Sequence, residues 1–292
     1  MFRIAHISDL HIPPLPHVPV RNLASKRIIG LFSWFQKWKS EHRQIVLDAL
    51  LAHIDEAKPD HICVTGDITY TTLPAEVDKA ADWFSRLGDA RRISLIPGNH
   101  DAYVKGALDY AVEKWSRWMQ DDEGHSGFPY LHRRGPVNIV GLSSAVATPP
   151  AISLGRIGKE QLRRTESLLN RINADQRPVV LMVHHAPQDG AATRVRALSD
   201  RKELQELLTR VPVDLVLHGH LHYPARAELD GPSGPVPVLG AASASAVGRR
   251  KSAAHYHLID IETVSGKTRF SVQHHHYDTM TGKFSLTGSE CF

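Results

Sequence analysis

Five short motifs in this chain of 292 residues combine the carboxylate, amide and imidazole groups that bind divalent Mn, Fe or Zn ions. Each follows an apolar run typical of a buried strand, and α/β folds place their sites at strand ends. In extended backbone, residues i and i+2 point to one side, so Asp9 and His11 are expected to share an ion. Because the motifs lack cysteine, a structural zinc-finger site is excluded. In chain order they are Asp9-Leu10-His11, Gly66-Asp67, Gly98-Asn99-His100-Asp101, His184-His185 and Gly219-His220-Leu221-His222.

In this order, the motifs resemble the signature of the calcineurin-like metallophosphoesterases. The flanking segments PDHICVTGDIT, LIPGNHD and VDLVLHGHLH are similar to those of the family, and the resemblance extends from Arg3 to Ile261. It implies a dinuclear metal-dependent phosphoester hydrolase that uses a metal-bridging hydroxide. Phosphodiester cleavage is the preferred reaction, and phosphomonoester cleavage is the alternative. Two divalent ions are the expected cofactors, and Mn, Fe and Zn all suit these ligands.

The resemblance also implies a role for individual residues. One ion would be held by Asp9, His11 and His222, the other by Asn99, His184 and His220, with Asp67 bridging both.

His100 would contact the phosphoryl oxygens or protonate the leaving alkoxide. Many family members place a carboxylate or amide three residues after the bridging aspartate, where it orients the catalytic histidine, but this chain has Tyr70 there. The resemblance therefore does not imply an Asp–His dyad for His100 in this chain. Of the adjacent His184 and His185, the family pattern favours His184 as the ligand, while His185 either lines the substrate pocket or packs structurally.

Short apolar runs alternate with amphipathic helices, and this order predicts a four-layer α/β/β/α sandwich of two mixed sheets flanked by helices. We expect one domain over 1–292, without internal repeats. The predicted strands are 2–8, 61–65, 93–96, 137–142, 179–184, 215–218, 236–239, 255–261 and 269–274, and apolar periodicity predicts helices over 46–54, 77–87, 104–119 and 204–211.

Composition limits the remaining possibilities. Two cysteines, Cys63 and Cys291, exclude a disulfide scaffold and suit a reducing compartment; we expect Cys63 in the core and Cys291 in a frayed terminus. The chain lacks an apolar stretch of membrane-spanning length, and a core strand beginning at Arg3 leaves no room for a targeting segment, so we expect a cytoplasmic protein. The chain has 19 histidines, and His274 to His276 are interpreted as a polar strand end rather than a metal site.

Residues 21–43 form a basic, aromatic segment directly after the first metal motif. It carries six Lys and Arg residues against Glu41 alone, a net +5, while the whole chain carries +4. We predict a helical insertion, although Gly30 weakens a single continuous helix. It would pack on the body with solvated edges, bind a membrane surface peripherally, or cover the site and recognise a substrate with an apolar tail.

Several hypotheses about the substrate therefore stay open. The segment favours a lipid-linked phosphoester, such as a UDP-linked acyl sugar pyrophosphate, and the alternative is a 3',5'-cyclic nucleotide. A hypothesis of another class is a non-catalytic metal-binding scaffold. Nucleic acid is not expected as a partner, because a separate basic base-stacking module is lacking. The sequence does not determine the oligomeric state.

Overall fold

Two six-stranded sheets pack face to face between layers of helices in the computed structural model, which describes residues 1–15, 25–264 and 267–292. The strands are β1 (Phe2–Ile7), β2 (His61–Val64), β3 (Ile93–Leu95), β4 (Tyr130–Arg134), β5 (Val137–Gly141), β6 (Val179–Met182), β7 (Leu215–His218), β8 (Ala225–Gly231), β9 (Gly234–Gly240), β10 (His255–Val264), β11 (Lys267–Asp278) and β12 (Lys283–Cys291). The helices are α1 (Arg27–Ser33), α2 (Gln44–Ala57), α3 (Pro74–Leu87), α4 (Ala107–Trp115), α5 (Lys159–Ile172) and α6 (Arg201–Leu208).

Both sheets are mixed. The first has the order β12-β11-β10-β1-β2-β3, in which β1, β2 and β3 are parallel and the strands beyond β1 are antiparallel. The second has the order β4-β5-β6-β7-β9-β8, with parallel pairing from β5 to β9 and an antiparallel strand at each edge. The carboxyl ends of the parallel strands therefore lie along one edge of each sheet.

Alternation along the strands decides which layer each side chain joins. In β6, Val180 and Met182 face the first sheet and join the core formed with α2, α3 and α4. Leu181, between them, joins the second core with α5 and α6. Burial on both faces explains why β6 is apolar throughout. The predicted α/β/β/α architecture is confirmed.

Three strands were not predicted, because they lack the continuous apolar run of a central strand. β8 alternates between exposed and half-buried residues, β12 is mostly exposed, and β4 ends in two arginines.

Cys291 is the last residue of β12 instead of lying in a frayed terminus, and Cys63 is buried as predicted. The helix predicted over 104–119 is shorter, since α4 covers Ala107–Trp115 and a 3₁₀ turn follows.

The described part of the basic segment is helical over 27–38. α1 continues into a π-helical turn at Trp34–Trp38, and residues 21–24 of the predicted insertion lie outside the described residues. Gly30 lies inside α1, where a Cβ atom would meet the side chains of Thr71 and Tyr103, so a glycine permits this close packing. None of the helices in the described ranges combines the length and hydropathy needed to cross a bilayer.

Candidate metal centre

The loops that follow five parallel strands converge where the two sheets meet. Asp9 follows β1, Asp67 follows β2 and Asn99 follows β3 in the first sheet. His184 follows β6 in the second sheet, and His220 and His222 follow β7. Their side chains form two adjoining groups of potential metal ligands.

The first group contains Asp9, His11 and His222. Nε2 of His222 lies 3.2 Å from Oδ1 of Asp9 and 3.4 Å from Nε2 of His11. Oδ1 of Asp9 is buried and accepts no hydrogen bond. A buried carboxylate oxygen in this condition is costly unless a cation is bound beside it.

The second group contains Asn99, His184 and His220. Oδ1 of Asn99 lies 3.3 Å from Nε2 of His184, and the rings of His184 and His220 are 5.3 Å apart. Asp67 lies between the groups, with Oδ2 at 3.4 Å from Nε2 of His184 and 3.9 Å from Nε2 of His11. The structure thus brings together all seven residues that the sequence predicts as ligands.

Backbone carbonyl groups fix one ring nitrogen of three of these histidines. Nδ1 of His11 donates to Thr69 O, Nδ1 of His184 donates to Thr65 O, and Nε2 of His220 donates to Arg196 O, at 3.0, 2.6 and 2.9 Å. Since a carbonyl oxygen only accepts, the remaining ring nitrogen carries a lone pair in the neutral imidazole. Metal-binding histidines have this arrangement. The donor set therefore fits two divalent ions.

The backbone at these motifs is not extended, so the expectation that Asp9 and His11 share a side through strand geometry is wrong. Asp9, His11 and Asp67 have φ values of 51°, 37° and 52°, and His220 and His222 have 71° and 60°. Non-glycine residues rarely adopt this left-handed region, and each costs about 1–3 kcal/mol. The carboxylates and imidazoles converge because tight turns follow the strands.

Two of the motif glycines permit close approach to the buried carboxylates. A Cβ atom on Gly98 would collide with Oδ1 of Asp67, and one on Gly219 would collide with the side chains of Ser8 and Asp9. The absence of a side chain lets the backbone approach instead, and the N–H of His220 donates to Oδ2 of Asp9 at 2.9 Å.

The backbone of Tyr70 holds His100, the predicted catalytic residue. Nδ1 of His100 donates to the carbonyl oxygen of Tyr70 at 2.8 Å, which leaves Nε2 for substrate. A carboxylate at this position is therefore unnecessary for orientation. The buried carboxylate of Glu76 holds the Tyr70 loop, since it accepts from the N–H groups of Tyr70, Thr71 and Leu73.

Sequence reasoning did not find His42, a further imidazole beside the first group. It is buried, its ring lies 4.7 Å from that of His11, and its Nε2 has no hydrogen-bond partner. Its Nδ1 lies 2.7 Å from the hydroxyl of Ser245. His42 lies in none of the five motifs, and the only signal for it in the sequence was its position at the end of the basic segment.

His185, the neighbour of His184, has hydrogen-bond partners at both ring nitrogens, Ser144 Oγ and Ser153 O. Of the two roles expected for it, structural packing is the one that the structure favours.

A cavity of about 210 Å³ opens onto this centre. Arg196 and Lys251 contribute positive charge to its wall, and Trp38 contributes an indole ring from the basic segment. The cavity thus joins potential metal ligands, cations and an aromatic surface, a combination that suits a phosphorylated organic molecule. The remaining lining residues are His11, Asp67, Tyr70, Asn99, His100, Ser153, His220 and His222.

The sequence is similar to a known family and to a named relative. Residues 2–224 match the family model described as calcineurin-like phosphoesterase. A protein from Synechococcus named as a probable cyclic nucleotide phosphodiesterase is 25% identical over 234 residues, which cover 75% of this chain and 72% of that protein.

Solved structures show the same fold. A dimetal phosphatase from Danio rerio superposes with a TM-score of 0.64 at 13% identity, covering 98% of both chains. The NAD nucleotidase of Haemophilus influenzae superposes with a TM-score of 0.52 at 13% identity, covering 98% of this chain and 53% of that one.

Asp67 and His184 form a buried pair of opposite charge in the metal-free protein. Burial opposes ionisation of Asp67, but the imidazolium of His184 outweighs it and holds the pKa of Asp67 well below its ordinary value. Burial likewise lowers the pKa of His184, but the charge of Asp67 and the hydrogen bond to it outweigh burial and raise this pKa to about 9. The proton on His184 therefore supplies the positive charge that a metal ion would otherwise provide.

We predict that metal affinity rises with pH until it passes the pKa of His184. Below that pKa of about 9, an ion that binds Nε2 must displace a proton, so affinity falls about tenfold for each pH unit. Burial lowers the pKa of His11 to about 3, so His11 adds no proton in this range. Calorimetric titration with Mn²⁺ at pH 6, 7 and 8 checks this, and an affinity that is constant across the three would contradict it.

Proposed function

The chain belongs to the calcineurin-like phosphoesterase family and is a metal-dependent phosphoester hydrolase, and from this premise we propose that it hydrolyses phosphodiesters at a dinuclear centre. The observation that carries the proposal is the position of Asp67, whose carboxylate lies between two groups of ligands. A shared carboxylate is what two adjacent ions require. Asp9, His11 and His222 would hold one ion, and Asn99, His184 and His220 the other.

Bound ions would activate a water molecule as the nucleophile and neutralise the charge of the phosphoryl group. The oxygen and imidazole ligands suit Mn, Fe or Zn. Among the protein groups, Arg196 and Lys251 line the cavity and bind the nonbridging phosphoryl oxygens. With these residues retained, hydrolysis is favoured over the non-catalytic scaffold.

His100 is the proposed proton donor to the leaving alkoxide. Its Nδ1–H is committed to the carbonyl oxygen of Tyr70, so Nε2 is the atom from which a proton can leave. The N–H of His100 donates to Oδ1 of Asp67 at 2.7 Å, which fixes the donor relative to the metal centre. A histidine held in this way contributes about 10²–10⁴-fold to the rate as a general acid.

Replacing Asp67 by Ala is expected to abolish hydrolysis of bis-p-nitrophenyl phosphate and to lower the bound metal content. The reason is that both groups of ligands would lose the carboxylate that lies between them. Asn99→Ala is also expected to abolish turnover, because it removes a ligand from the second group and leaves the first group unchanged. Asp82→Ala, on the exposed surface of α3, is the control and should retain wild-type activity. Near wild-type turnover of the Asp67→Ala protein would disprove the mechanism.

Replacing His100 by Gln tests the acid role through the leaving group. With an alkyl leaving group, turnover should fall by about 10²–10⁴-fold, because an alkoxide needs a proton. With p-nitrophenolate, which leaves without one, the loss should be less than about tenfold. Metal content is measured in parallel and should be unchanged. An equal loss with both leaving groups would assign His100 to phosphoryl binding instead.

We further propose that the basic segment recognises an apolar group on the substrate. Phe32 and Phe35 are 62% and 61% exposed, and Ile28 and Ile29 of the same helical stretch are also exposed. An exposed apolar patch next to cationic side chains fits a lipid-linked phosphate. A UDP-linked acyl sugar pyrophosphate has this chemistry, and an anionic membrane surface would fit the same patch peripherally.

A 3',5'-cyclic nucleotide is the second candidate substrate. It is supported by the name of the Synechococcus relative, and that protein is alike over most of this chain. Trp38 lines the cavity, and its ring lies 5.8 Å from that of His222, where a nucleobase could stack. This candidate makes no use of the exposed phenylalanines.

Replacing Phe32 and Phe35 together by Ser separates the two substrates. Each phenyl group buried against an acyl chain stabilises the complex by about 1.5–3 kcal/mol, so kcat/KM for the UDP-linked acyl sugar should fall at least about tenfold. Hydrolysis of 3',5'-cyclic AMP should change by less than about twofold. Met280→Ser, which removes a 92% exposed side chain between β11 and β12, is the control.

An equal loss with both substrates would contradict recognition of an apolar tail. Turnover of cyclic AMP alone, unchanged in the double variant, would favour the second candidate. Co-sedimentation with vesicles of anionic phospholipid tests the membrane surface, and wild-type protein that stays in the supernatant would exclude it.

A further inference from the structure

A second concentration of histidines lies in the first sheet, apart from the metal centre. The register pairs His257 of β10 with His6 of β1 on one side and with His274 of β11 on the other. His255 of β10 pairs directly with His276 of β11. Because residues i and i+2 share a face of a strand, these five imidazoles lie together on one face across three strands. We call them the sheet histidines.

The sheet histidines differ from the expected polar strand end. His275, which lies between His274 and His276, is on the opposite face and stacks on Tyr256 with ring centroids 5.1 Å apart. Of these three residues, only His274 and His276 belong to the sheet histidines. The ring of His276 lies 4.5 Å from that of His255. The tract therefore divides between two faces, and only one of them concentrates imidazoles.

His255 is the central observation. Its side chain is completely buried, and neither ring nitrogen has a hydrogen-bond partner. An imidazole left in this state carries the full desolvation cost of two polar atoms, about 1–3 kcal/mol for each. The rings around it are those of His257, His274 and His276, at 4.4, 5.7 and 4.5 Å. A bound cation would use the lone pair that these neighbours leave unpaired.

His257 and His274 each keep one ring nitrogen that is not used by a side chain. Nδ1 of His257 lies 3.1 Å from Nδ1 of His6, whose Nε2 lies 3.0 Å from the hydroxyl of Thr65. When His6 donates to Thr65, it accepts from His257, which leaves Nε2 of His257 with a lone pair. Nε2 of His274 lies 3.1 Å from a carboxylate oxygen of Glu290. A carboxylate on the second nitrogen is common for histidines that bind metals.

We propose that His255, His257 and His274 bind one late first-row divalent ion, at a site distinct from the dinuclear centre. Their ligand atoms lie within 4.8 Å of one another. A donor set made only of imidazoles suits Zn²⁺, Ni²⁺ and Cu²⁺ better than Mg²⁺ or Ca²⁺. His274 is 24% exposed, which gives an ion a path from solvent.

The charge state of the cluster fits this assignment. Burial, followed by repulsion from His276 and His274, lowers the pKa of His255 to about 2. Burial also lowers the pKa of His257 well below its ordinary value. The imidazoles of His255 and His257 are therefore neutral at physiological pH, which is the form that binds metals, so an ion that binds these two residues does not have to compete with an imidazolium proton.

The site would fix three strands and reach the dinuclear centre through one residue. An ion held by β10 and β11 would also fix the tautomer of His257 and through it the tautomer of His6, whose Nε2 faces the hydroxyl of Thr65. The carbonyl oxygen of Thr65 accepts from Nδ1 of His184. The expected role of the ion is to stabilise the sheet that carries Asp9 and Asp67. The ion would not contact the substrate.

The experiment measures the zinc bound by the chain of 292 residues. Metal-free protein is titrated with Zn²⁺ against a chromophoric chelator, and the wild type should bind about three equivalents. His274→Gln should bind about two and should lose the part of the thermal stabilisation that the third ion provides. His275→Gln, the same change on the opposite face, should match the wild type. Circular dichroism verifies folding, and His257→Gln is a second variant of the site.

The outcomes distinguish this site from the proposed function. Equal zinc counts in His274→Gln and wild type, with both folded, would overturn the sheet site. One equivalent in the wild type that is lost in His274→Gln would support the sheet site and contradict the dinuclear centre. Asp67→Ala should retain the sheet equivalent, and a folded Asp67→Ala protein that binds no zinc would overturn the sheet site.

Discussion

The carboxylate of Asp67 is buried where the two sheets meet, and it stays ionised only with positive charge beside it. One of its oxygens accepts the N–H of His100, and the other faces His184 and His11. In the metal-free protein, a proton on His184 supplies part of that charge. This single requirement explains why imidazoles surround the carboxylate and why the loops must approach it closely. Hydrophobic neighbours would instead raise the pKa of the Asp67 carboxyl group and favour its neutral form.

The folded sheets hold these loops in a strained conformation. Five proposed ligands have positive φ, at a cost of about 1–3 kcal/mol each. Backbone hydrogen bonds stabilise these loops and offset part of the conformational cost. Asp9 N donates to Gly66 O, and His11 N donates to Asp67 O. Asp101 also contributes, since its buried carboxylate accepts from the N–H groups of Ile68, Thr69 and Gly98 and thereby joins the loops after β2 and β3. The core strands provide the stability that permits the strain.

The sequence predicts the central strands and the order of the ligand motifs, because parallel strands buried on both faces leave a continuous apolar signal. It does not predict the edge strand β12, whose exposed side chains lack that signal. Nor does it predict the left-handed turns, since the apolar pattern says nothing of φ after a strand ends. His42 and His255 were missed because their importance arises from tertiary contacts, and no motif marks them. The assignment of 1–292 to one domain stays a prediction.

Hydrogen bonds connect the basic segment to the loops that carry His100 and Asp9. The guanidinium of Arg27 donates to the carbonyl oxygens of Thr71 and Thr72, and the hydroxyl of Thr72 donates to the carbonyl oxygen of His100. At its other end, Arg43 N donates to Ser245 O, and Ser243 of the same loop donates to the carbonyl oxygen of Asp9. A substrate that displaces the segment must therefore change contacts on both sides of the metal centre. One attachment ends at the carbonyl oxygen of His100, the proposed acid, and the other at that of Asp9, a proposed metal ligand. We therefore expect binding at the basic segment to be coupled to the positions of these two residues.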